Sequence, residues 1–123
     1  MNQLDKLCGI RNDLEADRIK FIDESVKYSL EGFTNYNCLA DFEQKVMYFL
    51  KGEVYASKLI SWAVRNSVEK LFSKAESAKK VGYDKYIGVY EDEAIHIAVR
   101  YGLNKSDIEK RFSKILEEEK WIN

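Results

Sequence analysis

His96 is the single histidine of the chain and the first residue to test for chemistry. It sits between Ile95 and Ile97, with Glu93 three residues before it and Arg100 four after. An imidazole can serve as a general base or a metal ligand. Metal binding and nucleophilic catalysis both need convergent partners, and the chain offers no second histidine. The expectation is therefore a structural or solvent-facing histidine. Glu91, Asp92 and Glu93 form a carboxylate run. Adjacent helical residues point in different directions, so these three do not converge as an acid–base pair. They are expected at a helix start, where the dipole favours negative charge. Glu117, Glu118 and Glu119 read as a solvated acidic face. Cys8 and Cys38 are too few and too isolated for a disulfide scaffold or a zinc site. There is no glycine-rich phosphate loop, no Cys-x-x-Cys and no zincin histidine pair. The expectation is no catalytic residue, no metal and no cofactor, hence not an enzyme.

Two constellations point to binding instead. Tyr83, Tyr86 and Tyr90 are interleaved with Lys79, Lys80 and Lys85. Aromatics among lysines can stack single-stranded bases while the lysines hold phosphates. They can equally cover a core edge or form a protein interface, and with so short a cluster that reading is favoured. The second constellation is Ala98, Gly102 and Ile108, spaced four and six apart as in a helix-turn-helix. A small residue and a glycine let two helices cross closely, and the isoleucine fills their angle. Ser106 to Lys114 would then be a DNA-reading helix. Asp107 and Glu109 on that helix would repel phosphates, and Arg111 stands where an apolar residue is usual.

The elements that must position these residues read as helices. Proline is absent, which fits long helices with short joints, since proline breaks helix interiors. The first pattern runs from about Asn2 to Leu30, with Leu4, Leu7, Ile10 and Leu14 on one stripe and Ile19, Ile22, Val26 and Leu30 on the next. The five-residue step from Leu14 to Ile19 predicts a bend, or a restart at Asn12 or Asp13. A second helix is expected from an Asn37 cap to Leu50, burying Leu39, Phe42, Val46 and Phe49. A third runs from about Val54 to Lys80 with a wide apolar face, and so is central. Gly32, Gly52, Gly82 and Gly102 are the expected helix stops. Ile87, Val89 and Tyr90 favour β structure and predict a short extended segment near 86–90. A short helix follows from Glu91 or Asp92 to Tyr101, with Ala94, Ile95, Ala98 and Val99 inward. The last helix starts at an Asn104 cap. There Leu103 and Ile108 form a hydrophobic staple, Ser106 and Glu109 offer a capping box, and Ile108, Phe112, Ile115 and Leu116 form the apolar stripe.

A length of 123 residues predicts one helical domain spanning 1–123, a compact all-α bundle of about five helices. The net charge of −1 argues against a dedicated nucleic-acid binder. The charge is uneven, however. Residues 53–90 carry 7 basic and 4 acidic side chains, between flanks of 7 against 9 and 6 against 8. A basic middle between acidic ends suits either a complementary partner or a homodimer. No signal-like or membrane-spanning apolar run is present, so a soluble, cytoplasmic protein without membrane contact is expected.

The stretch from Ala78 to Tyr101, AKKVGYDKYIGVYEDEAIHIAVRY, resembles the PcfK-like family of proteins encoded on conjugative elements and phages. The matching pieces are a lysine-rich helix end at Lys79–Lys80, the acidic run Glu91–Asp92–Glu93, and an apolar helix with Ala98 that ends on Tyr101. The resemblance implies an accessory protein of a mobile element, and some relatives of that family are anti-CRISPR proteins that inhibit Cas9 by binding it. The expected function is thus a non-enzymatic binding protein, most concretely an inhibitor that binds a Cas nuclease. The alternative is a small helix-turn-helix DNA-binding regulator. The expected partner-binding residues are Lys79, Lys80, Tyr83, Lys85, Tyr86, Tyr90, Glu91, Asp92, Glu93, Arg100 and Tyr101.

Overall fold

The computed structural model describes residues 3–118, with side chains from residue 16 onward. They form five helices: α1 (Gln3–Glu31), α2 (Tyr36–Phe49), α3 (Ala56–Lys80), α4 (Asp84–Tyr101) and α5 (Lys105–Glu117). Among the described residues there is no strand, and the fold is an all-α bundle. The side chains of Leu4, Leu7, Ile10, Leu14 and Cys8 lie outside the described ones, as does Glu119. No helix among the described residues is long and apolar enough to cross a membrane.

Helix α3 is the central element and touches all four others. It buries Leu59, Ala63, Val64, Val68, Leu71 and Phe72, which is the wide stripe its sequence carries. Helix α1 runs in the same direction along it. Arg18 pairs with Glu53 just before α3 begins, and Asn66 Nδ2 donates to the Ser29 carbonyl 2.8 Å away. Helix α2 is parallel to α4 in the same sense, with Tyr36 meeting Glu93 and Glu43 meeting Arg100.

Helix α1 is continuous, with no restart at Asn12 or Asp13, and it turns a different face inward from the expected one. Ile19, Val26 and Leu30 are exposed, while Ser25 and Ser29 are buried. Ser29 lies at the end of α1 that closes on the α3 backbone. A Cβ placed on Gly32 would sit 2.5 Å from the Asn66 carbonyl. The cap of α2 is Asn35 rather than Asn37, its Oδ1 accepting from Cys38 N at 2.8 Å.

The extended segment expected at 86–90 is helical. Ile87, Ala94 and Ala98 fall on one helical stripe and are fully buried against the core, and burial on that period outweighs the β-preference of Val89 and Tyr90. Gly88 faces outward, with nothing within 4 Å of a Cβ built there. Helix α4 therefore begins at Asp84, and Glu91–Asp92–Glu93 lie in its middle rather than at its start. Ile97 replaces Val99 on the buried face, and Val99 is 67% exposed. Helix α5 starts as expected, with Asn104 Oδ1 accepting from Asp107 N at 3.2 Å and with Ile108, Phe112 and Ile115 buried. Leu116, expected inward, is exposed.

Candidate functional site

The eleven expected partner-binding residues divide into two groups separated along α4. Tyr83 and Tyr101 are 18 residues apart, roughly 27 Å at the helical rise. They do not form one site.

The first group surrounds the α3–α4 joint. The Tyr83 N–H bonds back to the Ala78 carbonyl at 2.8 Å, closing α3 and aiming α4. Lys79 serves this joint rather than a partner: it is 8% exposed, and its Nζ lies 3.2 Å from Asp84 Oδ2. Tyr83 and Tyr86 meet edge to face with centroids 6.0 Å apart, and Lys85 Nζ stands 5.2 Å over the Tyr86 ring. Tyr83, Tyr86 and Tyr90, at spacings of three and four, share one face of the helical joint. They line an open groove of about 370 Å³ together with Lys74, Ser77 and Val81. Val81, Tyr83 and Tyr86 are 56%, 58% and 45% exposed. The exposed tyrosine rings give this surface the aromatic enrichment of an interface, and the lysines add positive charge to it.

The second group holds helices together. The Tyr36 N–H donates to Glu93 Oε2 at 2.7 Å, so Glu93 caps the start of α2 from across the bundle. His96 stacks on the Tyr36 ring at 3.8 Å with the planes 7° apart, which gives the lone histidine a structural task on an exposed face. Arg100 reaches Glu43 at 3.3 Å. The Tyr101 hydroxyl is buried near Glu43 without meeting hydrogen-bond geometry. Burial, reinforced by the Glu43 charge and opposed by Arg100, pushes its pKa up to about 12. The Glu91 carboxyl is held above its usual range by burial, then by Asp92 and by Glu109 of α5. Of the acidic run Asp92 is exposed, while Glu91 and Glu93 are half-buried. Among the described residues, no three of His, Cys, Asp and Glu gather closely enough to hold a metal.

The α4–α5 corner has the expected shape. Ala98 and Ile108 are buried, Gly102 has a φ of +76°, and the Leu103 N–H bonds to the Ala98 carbonyl at 2.9 Å. Arg111, however, points back to α3. It makes a two-pronged contact with Glu69 at 2.8 and 3.0 Å and lies 3.9 Å over the Phe72 ring.

One feature escaped the sequence reading. A cleft between α1 and α2 is lined by Phe21, Tyr28, Phe33, Phe42 and Phe49. The signal was present as two matched pairs, Phe21 with Tyr28 and Phe42 with Phe49, each seven residues apart. Comparison with protein-family models, with curated proteins and with solved structures returns no match.

Proposed function

We propose that this chain is a non-enzymatic binding protein that captures a protein partner through the tyrosine–lysine groove at the α3–α4 joint. The observation that carries the reading is the shared face of exposed Tyr83 and Tyr86 and half-buried Tyr90, which line an open groove with Lys74, while Lys85 stands over the Tyr86 ring. Aromatic side chains of this kind dominate interface energetics, and the lysines favour an acidic partner surface. The most concrete partner is a Cas nuclease, a choice that rests on the PcfK-like resemblance of the same stretch.

The test is capture and inhibition of Cas9 by the purified protein, wild type against the double variant Tyr83→Ala/Tyr86→Ala. Both rings are exposed, so the variant should fold. Loss of two anchoring aromatics should weaken capture by at least about thirtyfold. Undiminished capture by the variant would remove the groove from the reading. Cas9 cleavage unaffected at large molar excess of wild type would remove the nuclease as partner.

DNA binding through the α4–α5 corner is the second reading, favoured by the Ala98–Gly102–Ile108 geometry described above. It is the weaker one, because Arg111 is committed to Glu69 and the exposed face of α5 carries Asp107 and Glu109 among its lysines. Absence of DNA retention at low salt would dismiss it.

A further inference from the structure

The α1–α2 cleft is a second site, independent of the tyrosine groove. Its volume is about 490 Å³, within the range of small-molecule sites, which are concave and mostly apolar with few polar groups. Ring pairs close it at both ends. Phe21 of α1 stacks on Phe49 of α2 with centroids 4.6 Å apart. At the other end Tyr28 meets Phe33 at 6.2 Å, and Phe33 meets Phe42 at 5.3 Å. Phe21 and Tyr28 are seven residues apart on α1, so the space between the closures is about 10 Å long. A docked helix is about as wide as that and needs open ends to run through, whereas a small flat molecule fits between the rings.

Ser25 supplies a polar feature. It lies midway between Phe21 and Tyr28 on the same face of α1 and lines the cleft. It is 1% exposed, and its hydroxyl oxygen has no hydrogen-bond partner. Buried hydroxyls are ordinarily paired, as Ser29 and Ser67 are, to the Val26 and Ala63 carbonyls. Ser25 is therefore the exception along this helix contact, and it sits against the cleft. The rim carries Glu24, Asp41 and Lys45. Lys45 pairs with Asp41 at 3.6 Å, which leaves Glu24 to make the mouth unfavourable for an anion. Phe49, 38% exposed on the last turn of α2, is the ring with room to swing outward and admit an occupant.

We propose that the α1–α2 cleft binds a flat, uncharged aromatic molecule of about two fused rings that carries one hydrogen-bonding group for the Ser25 hydroxyl. The rings of the cleft supply stacking and apolar burial, and the serine selects a polar substituent over a methyl group of the same shape.

The experiment titrates the full-length protein, labelled with 13C at phenylalanine, with 2-naphthol and separately with 2-methylnaphthalene, followed by NMR. Saturable shifts should be confined to Phe21, Phe33, Phe42 and Phe49, with 2-naphthol the tighter ligand. Ser25→Ala should weaken 2-naphthol about fivefold and leave 2-methylnaphthalene unchanged, because one hydrogen bond is lost from one ligand only. The same variant should unfold at no lower a denaturant concentration than wild type, since the hydroxyl it removes is unpaired. In a Cys8→Ser background, 2-naphthol should also slow alkylation of Cys38, the exposed thiol on the rim. Shifts that fail to saturate, or a ligand preference that survives Ser25→Ala, overturn the proposal.

Discussion

Replacement of Gly32 by alanine tests how the bundle is closed. Gly32 follows the last residue of α1, with a φ of +76°. Its Cα faces the backbone of α3 so closely that an added Cβ would lie 2.5 Å from the Asn66 carbonyl carbon and oxygen and 2.6 Å from the Ser67 nitrogen. Those are backbone atoms inside the central helix and cannot swing aside. The surroundings are also tied down: Phe33 N–H donates to Ser67 Oγ at 2.7 Å, and Asn66 Nδ2 to the Ser29 carbonyl at 2.8 Å. The left-handed backbone costs alanine about 1–2 kcal/mol, and overpacking typically adds about 1–3 kcal/mol. The expected loss for Gly32→Ala is thus about 2–5 kcal/mol, a large share of the stability of a domain this size. In thermal terms this is a drop of roughly 10–20 °C. Two internal controls isolate the clash. Gly102 has the same φ of +76° with nothing within 4 Å of its Cβ, so Gly102→Ala should cost only the backbone term, about 1–2 kcal/mol. Gly88 lies within α4 in open space at ordinary dihedrals, so Gly88→Ala should stabilise by about 0.5–1 kcal/mol. Urea unfolding followed by far-UV circular dichroism reads all three. A Gly32→Ala loss no greater than that of Gly102→Ala would refute the close approach of α1 to α3.

Two further outcomes follow from the helix junctions. Glu91 holds its proton more tightly in the folded state than in the unfolded chain, so its ionisation penalises folding above its usual range, and the penalty is relieved as the pH falls through that range. Glu91→Gln should therefore be more stable than wild type near neutral pH, with the advantage vanishing once the pH drops below the ordinary glutamate value of 4.5; an advantage independent of pH in unfolding curves would exclude the charge as cause. Asn35→Ala should cost about 1 kcal/mol by removing the side-chain acceptor for Cys38 N, measured as a shift in the urea midpoint at constant slope, and no shift would mean that Glu93 suffices to cap α2.

The helices were legible where punctuation is local. Gly32, Gly52, Gly82 and Gly102, read as stops, all have positive φ and all lie at helix ends. Asn104 caps α5 through its own side chain, so four consecutive residues carry the whole signal. The α1 register and the start of α4 were not legible, because each is decided by a neighbour distant in sequence. Ser25 and Ser29 are poorer core residues than Val26 and Leu30 by any hydrophobic scale, yet both are buried: Ser29 sits at the end of α1 that closes on the α3 backbone, and Ser25 lines the cleft toward α2. Ile87 and Val89 favour a strand until the core on one side of α4 selects Ile87, Ala94, Ile97 and Ala98 at helical spacing.

The same dependence on distant partners explains why the expected binding surface came apart. Charge and aromaticity mark a residue as able to bind, but whether it is free to bind depends on what the fold sets beside it. Lys79 is consumed by Asp84 across a turn of three residues, Glu93 by the N-terminus of α2 some 57 residues away, and Arg100 by Glu43 at the same separation. Tyr83 and Tyr86 keep exposed rings because they sit at the mouth of the α3–α4 joint, where none of the other described helices covers them. The aromatic cleft follows from the opposite circumstance. Its rings lie on two helices and the joint between them, and those helices touch each other far less than either touches α3. Phe21 meets Phe49 at one end and Tyr28 meets Phe33, which in turn meets Phe42, at the other, leaving a space that neither helix fills. Periodicity identifies which residues share a helix face. How tightly two such faces close is set by the third helix against which both are packed, and in this protein that helix is α3.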